Sequence, residues 1–451
     1  MSNPSKNPRR KRATDNPDHA RRTHVSAPSD SEIETRLTQL VQPAVYAEMN
    51  YYRQLGLRNR VLNLPVMVSL VLTLIWRRVV GVTELVRLLA RERVLWTAPT
   101  SVSQPALAER FLVFPAELFQ RVLERVLVVL PERQAQRSRP VPPLFRRLGG
   151  SFSAYYALDA TTLEALFRKL GALREAPDAP LAGKLLSAVD LLTHLPAHVW
   201  WLDDPMANDK SLLPDVKAWL KADSLVVFDL GYFAFTLFDD LTEQGVWFVT
   251  RLRAKTSFRV ERVLRQHPQV RDQIVHLGAY RSNPSGHSVR LVEVFVDGEW
   301  RQYVTNVLDP SRLSVVDVVE VYGYRWHIET AFLLVKRLLD LAYLWTGSLN
   351  GVQLQVWATW LFYAVLIDLC DDVADALHLP LERISVEMVF RGLYHYVTAV
   401  AHGFEGDVPT YYAQPAQRDL GIVKRYRPRA GPSPLAQIRI ALDLPSQPDP
   451  A

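Results

Sequence analysis

The stretch Tyr322-Gly323-Tyr324-Arg325-Trp326-His327-Ile328-Glu329-Thr330-Ala331-Phe332-Leu333-Leu334-Val335-Lys336 organises the reading of the whole chain. On a helix that advances 100° per residue, Tyr322, Arg325, Glu329 and Lys336 fall within an arc of about 60°. Ile328, Leu334, Val335, Leu338 and Leu339 lie elsewhere around it, so the spacing predicts a well-buried helix carrying one polar stripe. A local Arg325–Glu329 pair at i, i+4 accounts for two of these residues. It leaves Tyr322 and Lys336 on the same line without a role, and an unpaired buried charge is costly.

Two upstream segments supply partners of the right chemistry. Phe152 to Leu158 reads as a strand ending at Asp159-Ala160-Thr161-Thr162, and Ser224 to Phe228 as a strand running into Asp229-Leu230-Gly231-Tyr232. An Asp at the C-terminal edge of a strand can enter a cleft, although a turn-forming Asp is the commoner case for either one alone. Asp159, Asp229 and Glu329, carried on three elements, could hold two hard divalent ions. Such ions activate a nucleophilic oxygen and stabilise the leaving oxygen in phosphodiester chemistry. Arg325 and Lys336 beside the glutamate would hold phosphates, and Tyr322 could hydrogen-bond one. Other acidic pairs (Asp203-Asp204, Asp239-Asp240, Asp371-Asp372) read as solvated or capping residues. His327 reads as packed, and Cys370 as a core residue.

The Tyr-x2-Arg-x3-Glu-x6-Lys spacing resembles the signature of the cut-and-paste DDE transposases of insertion-sequence family four, and matches it at all four positions. Asp159-Ala-Thr-Thr and Asp229-Leu-Gly-Tyr resemble that family's two aspartate motifs, with Ala160 where Gly or Ser is more usual. Seventy residues separate Asp159 from Asp229, and one hundred separate Asp229 from Glu329. The longer interval is similar to the family's β-strand insertion, and Thr305-Asn306 after a strand is similar as well. The specific resemblance covers roughly residues 150–345.

The resemblance implies a ribonuclease-H-like catalytic domain in which Asp159, Asp229 and Glu329 bind two Mg²⁺ or Mn²⁺ ions. It implies that Tyr322, Arg325 and Lys336 contact phosphates at the element's ends. It further implies hydrolytic nicking at terminal inverted repeats, attack by the freed 3′-hydroxyl, strand transfer into double-stranded target DNA, and a homodimeric synaptic complex. Some family members stack a flipped base on a tryptophan of the insertion. Trp300 is the first candidate for that role and Trp247 the second, while a tryptophan with no base partner is the commoner situation. A prokaryotic, cytoplasmic, nucleoid-associated protein is the corresponding expectation.

The remaining sequence divides around this core. Residues 1–30 read as a disordered basic arm, and 31–131 as a helical N-terminal DNA-binding domain. Residues 132–150 read as a Pro/Gly linker with five arginines between Arg133 and Arg147 and no acid among them, equally a phosphate-binding strip or an ordinary solvated linker. Residues 151–345 read as the α/β catalytic domain with a β insertion at about 254–300, and 346–451 as a helical C-terminal region with a Pro-rich tail.

Composition bounds the function. The chain has 451 residues, 48% hydrophobic and 22% charged, which allows a large core and excludes wholesale disorder. The net charge of +6 permits a polyanionic partner without requiring one. The single cysteine, Cys370, excludes a disulfide framework and a Cys-based zinc site. The apolar runs Pro65 to Ile75 and Val352 to Cys370 are expected to be buried helices, the second being interrupted by Gln353, Gln355 and Asp368, so no membrane partner is expected. No Gly-x4-Gly-Lys-Ser/Thr run is present, which excludes a phosphate-loop NTPase. A glycosidase reading leaves the basic stripe beside Glu329 unused. The alternatives that survive are a copy that binds DNA without cutting it and another two-metal nuclease of the same fold.

Overall fold

The computed structural model describes residues 31–445 apart from 80, 163–182, 205–206, 280–281, 338–347 and 424–430. The expected basic arm, the last turn expected of the Glu329 helix and residues 424–430 of the Pro-rich tail lie outside the described residues.

A nine-stranded sheet forms the centre. Its strands are β1 (Ala154–Thr162), β2 (Lys184–Asp190), β3 (Pro196–Leu202), β4 (Ser224–Phe228), β5 (Trp247–Arg251), β6 (Phe258–His267), β7 (Val270–Leu277), β8 (Val289–Val296) and β9 (Glu299–Thr305). The order across the sheet is β3-β2-β1-β4-β5-β9-β8-β7-β6. β1, β4 and β5 are parallel, and every other pairing is antiparallel. β4 is buried along its whole length, which explains its unbroken Leu-Val-Val-Phe run: a central parallel strand is covered on both faces. β1 runs on through Asp159 to Thr162 instead of stopping at Leu158, because β2 continues to pair with it beyond the end of β4. The insertion builds no separate layer. β6 to β9 form a meander that continues the same sheet past β5, and β7, which shows no clear alternation in sequence, is part of it.

One face of the sheet is covered by the helices Leu213–Trp219 and Phe235–Glu243, with Val216, Phe238 and Leu241 in the core. The other is covered by Val315–Gly323 and Trp326–Arg337, with Val318, Val321, Ile328 and Val335 buried. Behind these stands the helix Leu349–Ala376. By length and composition it could cross a membrane, but its apolar stretch is buried inside the protein, against the helices Ser31–Ala47, Leu64–Trp76 and Glu117–Ala135. The N-terminal helices and the C-terminal region, expected as separate units, thus share one core.

The basic linker differs most from its sequence reading. Arg137 bonds Asp368 at 2.7 Å and Asp371 at 2.6 Å, Arg139 pairs with Asp371, and Arg133 lies 3.4 Å from Asp368. Arg36 from the first helix bonds Asp368 at 2.7 Å and Asp372 at 2.5 Å. Arg147 bonds Asp317 at 2.9 Å and also pairs with Glu320. Four of the five linker arginines are therefore spent on carboxylates of the protein itself, and Asp371 is buried rather than solvated. The periodicity of the long helix places Asp368, Asp371 and Asp372 toward the linker, but a linker without periodicity announces no partner.

Candidate active site

The parallel register aligns the two aspartates. Leu158 pairs with Phe228, so Asp159 and Asp229 are the next residues along their two strands, at the C-terminal edge. β4 ends there because Asp229 caps a single 3-10 turn (Leu230–Tyr232), its carboxylate accepting from the Gly231 N–H at 2.7 Å. Asp159 accepts from the Ala160 N–H at 2.8 Å.

Glu329 reaches the same edge from the helix Trp326–Arg337, which packs on β1 and β2. The quoted stretch is not one continuous helix. The helix Val315–Gly323, opened by a Ser314–Asp317 capping box, gives way at Tyr324 and Arg325 to i→i−3 bonds before the next begins. The kink keeps Tyr322, Arg325 and Glu329 together.

Arg325 stands between two of the carboxylates, 2.7 Å from Glu329 and 3.6 Å from Asp159. Burial works against its charge, but Glu329, Tyr322 and Asp159 outweigh that and raise its pKa further. Its Nε is buried without a hydrogen-bond partner. The Asp159 carboxyl is pushed up to about 6: burial is the main cause, and Asp229 and Glu329 add to it against the opposing pull of the Ala160 N–H and Arg325. Three carboxylates thus share one edge with a single guanidinium between two of them. Lys336 Nζ donates to the Thr161 hydroxyl beside Asp159, and burial lowers its pKa. Tyr322 packs edge-on against Tyr303 at 5.3 Å, and burial raises its phenol pKa. All six residues of the expected site therefore line the same edge.

The donor set, carboxylate oxygens from separate elements with more negative charge than Arg325 balances, fits a hard divalent cation. Among the described residues, however, no three His, Cys, Asp or Glu side chains are already gathered closely enough to hold one ion. A cation would have to draw Asp159, Asp229 and Glu329 together and displace the Arg325 bridge.

The two expected stacking residues are placed differently. Trp247 pairs with Leu225, at the opposite end of the parallel strands from Asp229. Its indole donates to Asp223 at 3.0 Å, and the Arg312 guanidinium lies 4.3 Å from the ring centre, so it packs away from the carboxylates. Trp300 lies beyond the end of β5, at the same end of the sheet as the carboxylates, but alternation along β9 turns it to the sheet face opposite Tyr303. There it packs on Phe295 and Arg271.

Three further residues have no assigned role in the expected site. Trp326 is 61% exposed, with the Arg325 guanidinium 5.2 Å from its ring centre. His327 bonds His194 at 3.0 Å, and burial lowers its pKa to about 4, so a neutral imidazole pair ties the Glu329 helix to the β2–β3 turn. Asn306 bonds backbone groups of Val246 and Phe248, fixing the start of β5. The exposed Trp beside a charged stripe was visible in the sequence; the histidine pair, 133 residues apart, was not.

Residues 156–365 match the family model described as a transposase DDE domain. The match takes in every residue of the site and supports a DDE transposase, a DNA-cleaving and DNA-transferring enzyme whose catalytic domain has the ribonuclease-H-like α/β fold. No curated protein matches the chain.

Proposed function

We propose that this protein is the transposase of an insertion sequence of family four, which cuts DNA at the element's terminal inverted repeats and joins the freed ends to target DNA. The observation that carries the reading is the meeting of Asp159, Asp229 and Glu329 at one sheet edge, with Arg325, Lys336 and Tyr322 around them.

Asp159, Asp229 and Glu329 would hold two Mg²⁺ or Mn²⁺ ions. Bound there, such ions supply Lewis acidity to the attacking and leaving oxygens of a phosphodiester. Lys336 and Arg325 grip phosphates on either side of the scissile bond, and Tyr322 donates a hydrogen bond to one of them. In the first step water attacks the phosphorus and the 3′-oxygen leaves, taking up a proton. In the second, that 3′-hydroxyl attacks a target phosphodiester and displaces another 3′-oxygen. Trp326 suits base stacking better than Trp300 or Trp247, because it is exposed beside Arg325. A homodimer brings two ends together, acting on double-stranded DNA in the cytoplasm without a membrane partner.

The test is cleavage of linear DNA carrying the gene with its flanks, in Mg²⁺, by the wild type and by Glu329→Gln. Paired cuts at inverted repeats should fall by about 100-fold or more in the variant, with end binding retained, because losing a metal ligand removes several kcal/mol of transition-state stabilisation. Normal cutting by the variant would refute the assignment. One observation favours a copy that binds without cutting: Arg325 sits between Asp159 and Glu329. Binding to the repeats with no cutting in Mg²⁺ or Mn²⁺ would establish that second reading.

A further inference from the structure

The outermost strand, β6, carries an unusual arrangement of charge. Between Arg251 and Arg271 the chain has seven basic residues (Arg251, Arg253, Lys255, Arg259, Arg262, Arg265, Arg271) and one acid, Glu261. That surplus equals the net charge of the whole protein, +6. In a regular strand, residues three apart point to opposite faces. β6 is not regular: its pairing with β7 shifts between Val260 and Arg262 and again between Val263 and Arg265.

Each shift inserts one extra residue, and its effect is read from the partners. Arg259 pairs with His276, Arg262 with Ile274 and Arg265 with Asp272. These partners are every second residue of β7 and share one face, so directly opposed residues place the three arginines on that face too. The two bulges convert a three-residue repeat into a one-sided row, with a spacing of about 7 Å set by two residues of β7. Measured along the duplex axis, that is about two nucleotides of one strand at a rise of about 3.4 Å each.

The row lies on the face that carries the catalytic helices. Asp272 lies on that face and bonds Arg290, which in turn donates to the Leu313 carbonyl just before the helix Val315–Gly323. Arg259, Arg262 and Arg265 are exposed. Arg259 makes one 3.5 Å contact with Glu261, and among the described residues no ion pair involves Arg262 or Arg265. The contrast with the linker arginines, consumed by the protein's own aspartates, is sharp.

We propose that the β6 row is a second DNA-binding surface, which grips duplex DNA of arbitrary sequence through its phosphates. Its occupant is DNA outside the element's own ends. Three exposed guanidiniums evenly spaced along one strand suit a regular array of phosphates, and phosphate contacts fix position without carrying sequence information. The inference rests on the transposase reading above and extends it to a strand that carries no catalytic residue.

The test compares the full-length protein with the triple variant Arg259→Gln, Arg262→Gln, Arg265→Gln on a random-sequence duplex across a salt series. Loss of three phosphate contacts should lower affinity by about 10- to 100-fold near 0.1 M salt and reduce the slope of log K against log salt by about 2 to 3. Cutting of a short duplex ending at the inverted repeat should be unchanged. Unchanged affinity and slope in a variant of normal melting temperature would overturn the proposal. So would self-association of the variant with unchanged DNA affinity, since the arginines would then only guard an open sheet edge. A wild-type protein that binds no DNA would instead remove the transposase reading itself, and this inference with it.

Discussion

The molecule contains two clusters of arginine and carboxylate with opposite electrostatic outcomes. At the linker, Arg36, Arg133, Arg137 and Arg139 surround Asp368, Asp371 and Asp372. Burial opposes ionisation of Asp368, but Arg137, Arg36 and Arg133 outweigh it and hold its carboxyl below the ordinary value. Asp371, reached by Arg137 and Arg139, stays above its ordinary value because burial wins. At the edge that carries Asp159, Asp229 and Glu329, one guanidinium lies between two of three carboxylates, and the Asp159 pKa rises to about 6. A balanced cluster is a clamp, since its charges are already satisfied. An unbalanced one leaves room for a cation from outside. Counting charges in the folded state separates the two, where motif and composition alone do not.

The largest expected difference between them is in stability. Asp368→Asn strands buried guanidiniums and should cost about 3–5 kcal/mol, read from the urea midpoint. Asp159→Asn relieves a crowded edge, so it should leave the midpoint unchanged or higher while removing cleavage. Equal destabilisation by both changes would erase the distinction. The Asp368 contribution also has a pH signature. Its folded pKa is depressed, so its stabilisation is present above the unfolded value of about 3.9 and lost as pH falls through the folded one. Urea midpoints between pH 5 and 3 should fall less steeply in Asp368→Asn than in the wild type.

A smaller effect tests the unbalanced edge directly. Millimolar Mg²⁺ should raise the melting temperature of the wild type by about 2–4 °C, as expected for a ligand that binds only the folded state. The shift should vanish in Asp159→Asn and survive in Arg139→Ala. An equal shift in all three proteins would place the ion elsewhere. The smallest effects concern the tryptophans. Trp326→Ala should weaken cleavage at element ends without changing the melting temperature, whereas Trp247→Ala should do the reverse, because its indole is spent on Asp223 and Arg312. Loss of end cleavage in Trp300→Ala but not in Trp326→Ala would return the stacking role to the insertion.

The residues of the site were legible because their chemistry is local. Tyr322, Arg325, Glu329 and Lys336 lie within fifteen residues, and both aspartates follow short apolar runs that could only be strands. The bounds of β4 follow from its apolar run. What stayed hidden was long-range pairing. Arg137 and Asp371 are 234 residues apart, and nothing in a Pro-rich linker signals that its arginines are consumed. The same holds for His194 with His327 and for the helical regions at the two ends of the chain, which share one core.

The sequence by itself determined the chemical inventory: three carboxylates, the cations beside them, and an order of strands and helices that calls for an α/β sheet. Only the tertiary structure decided which charges remain available. Burial and pairing act between residues distant along the chain, so they silence the linker arginines, turn Trp247 into a packing residue and, through two bulges, align Arg259, Arg262 and Arg265 on one face. A charge does outside work only where the fold leaves it unbalanced, and that balance is a property of three dimensions.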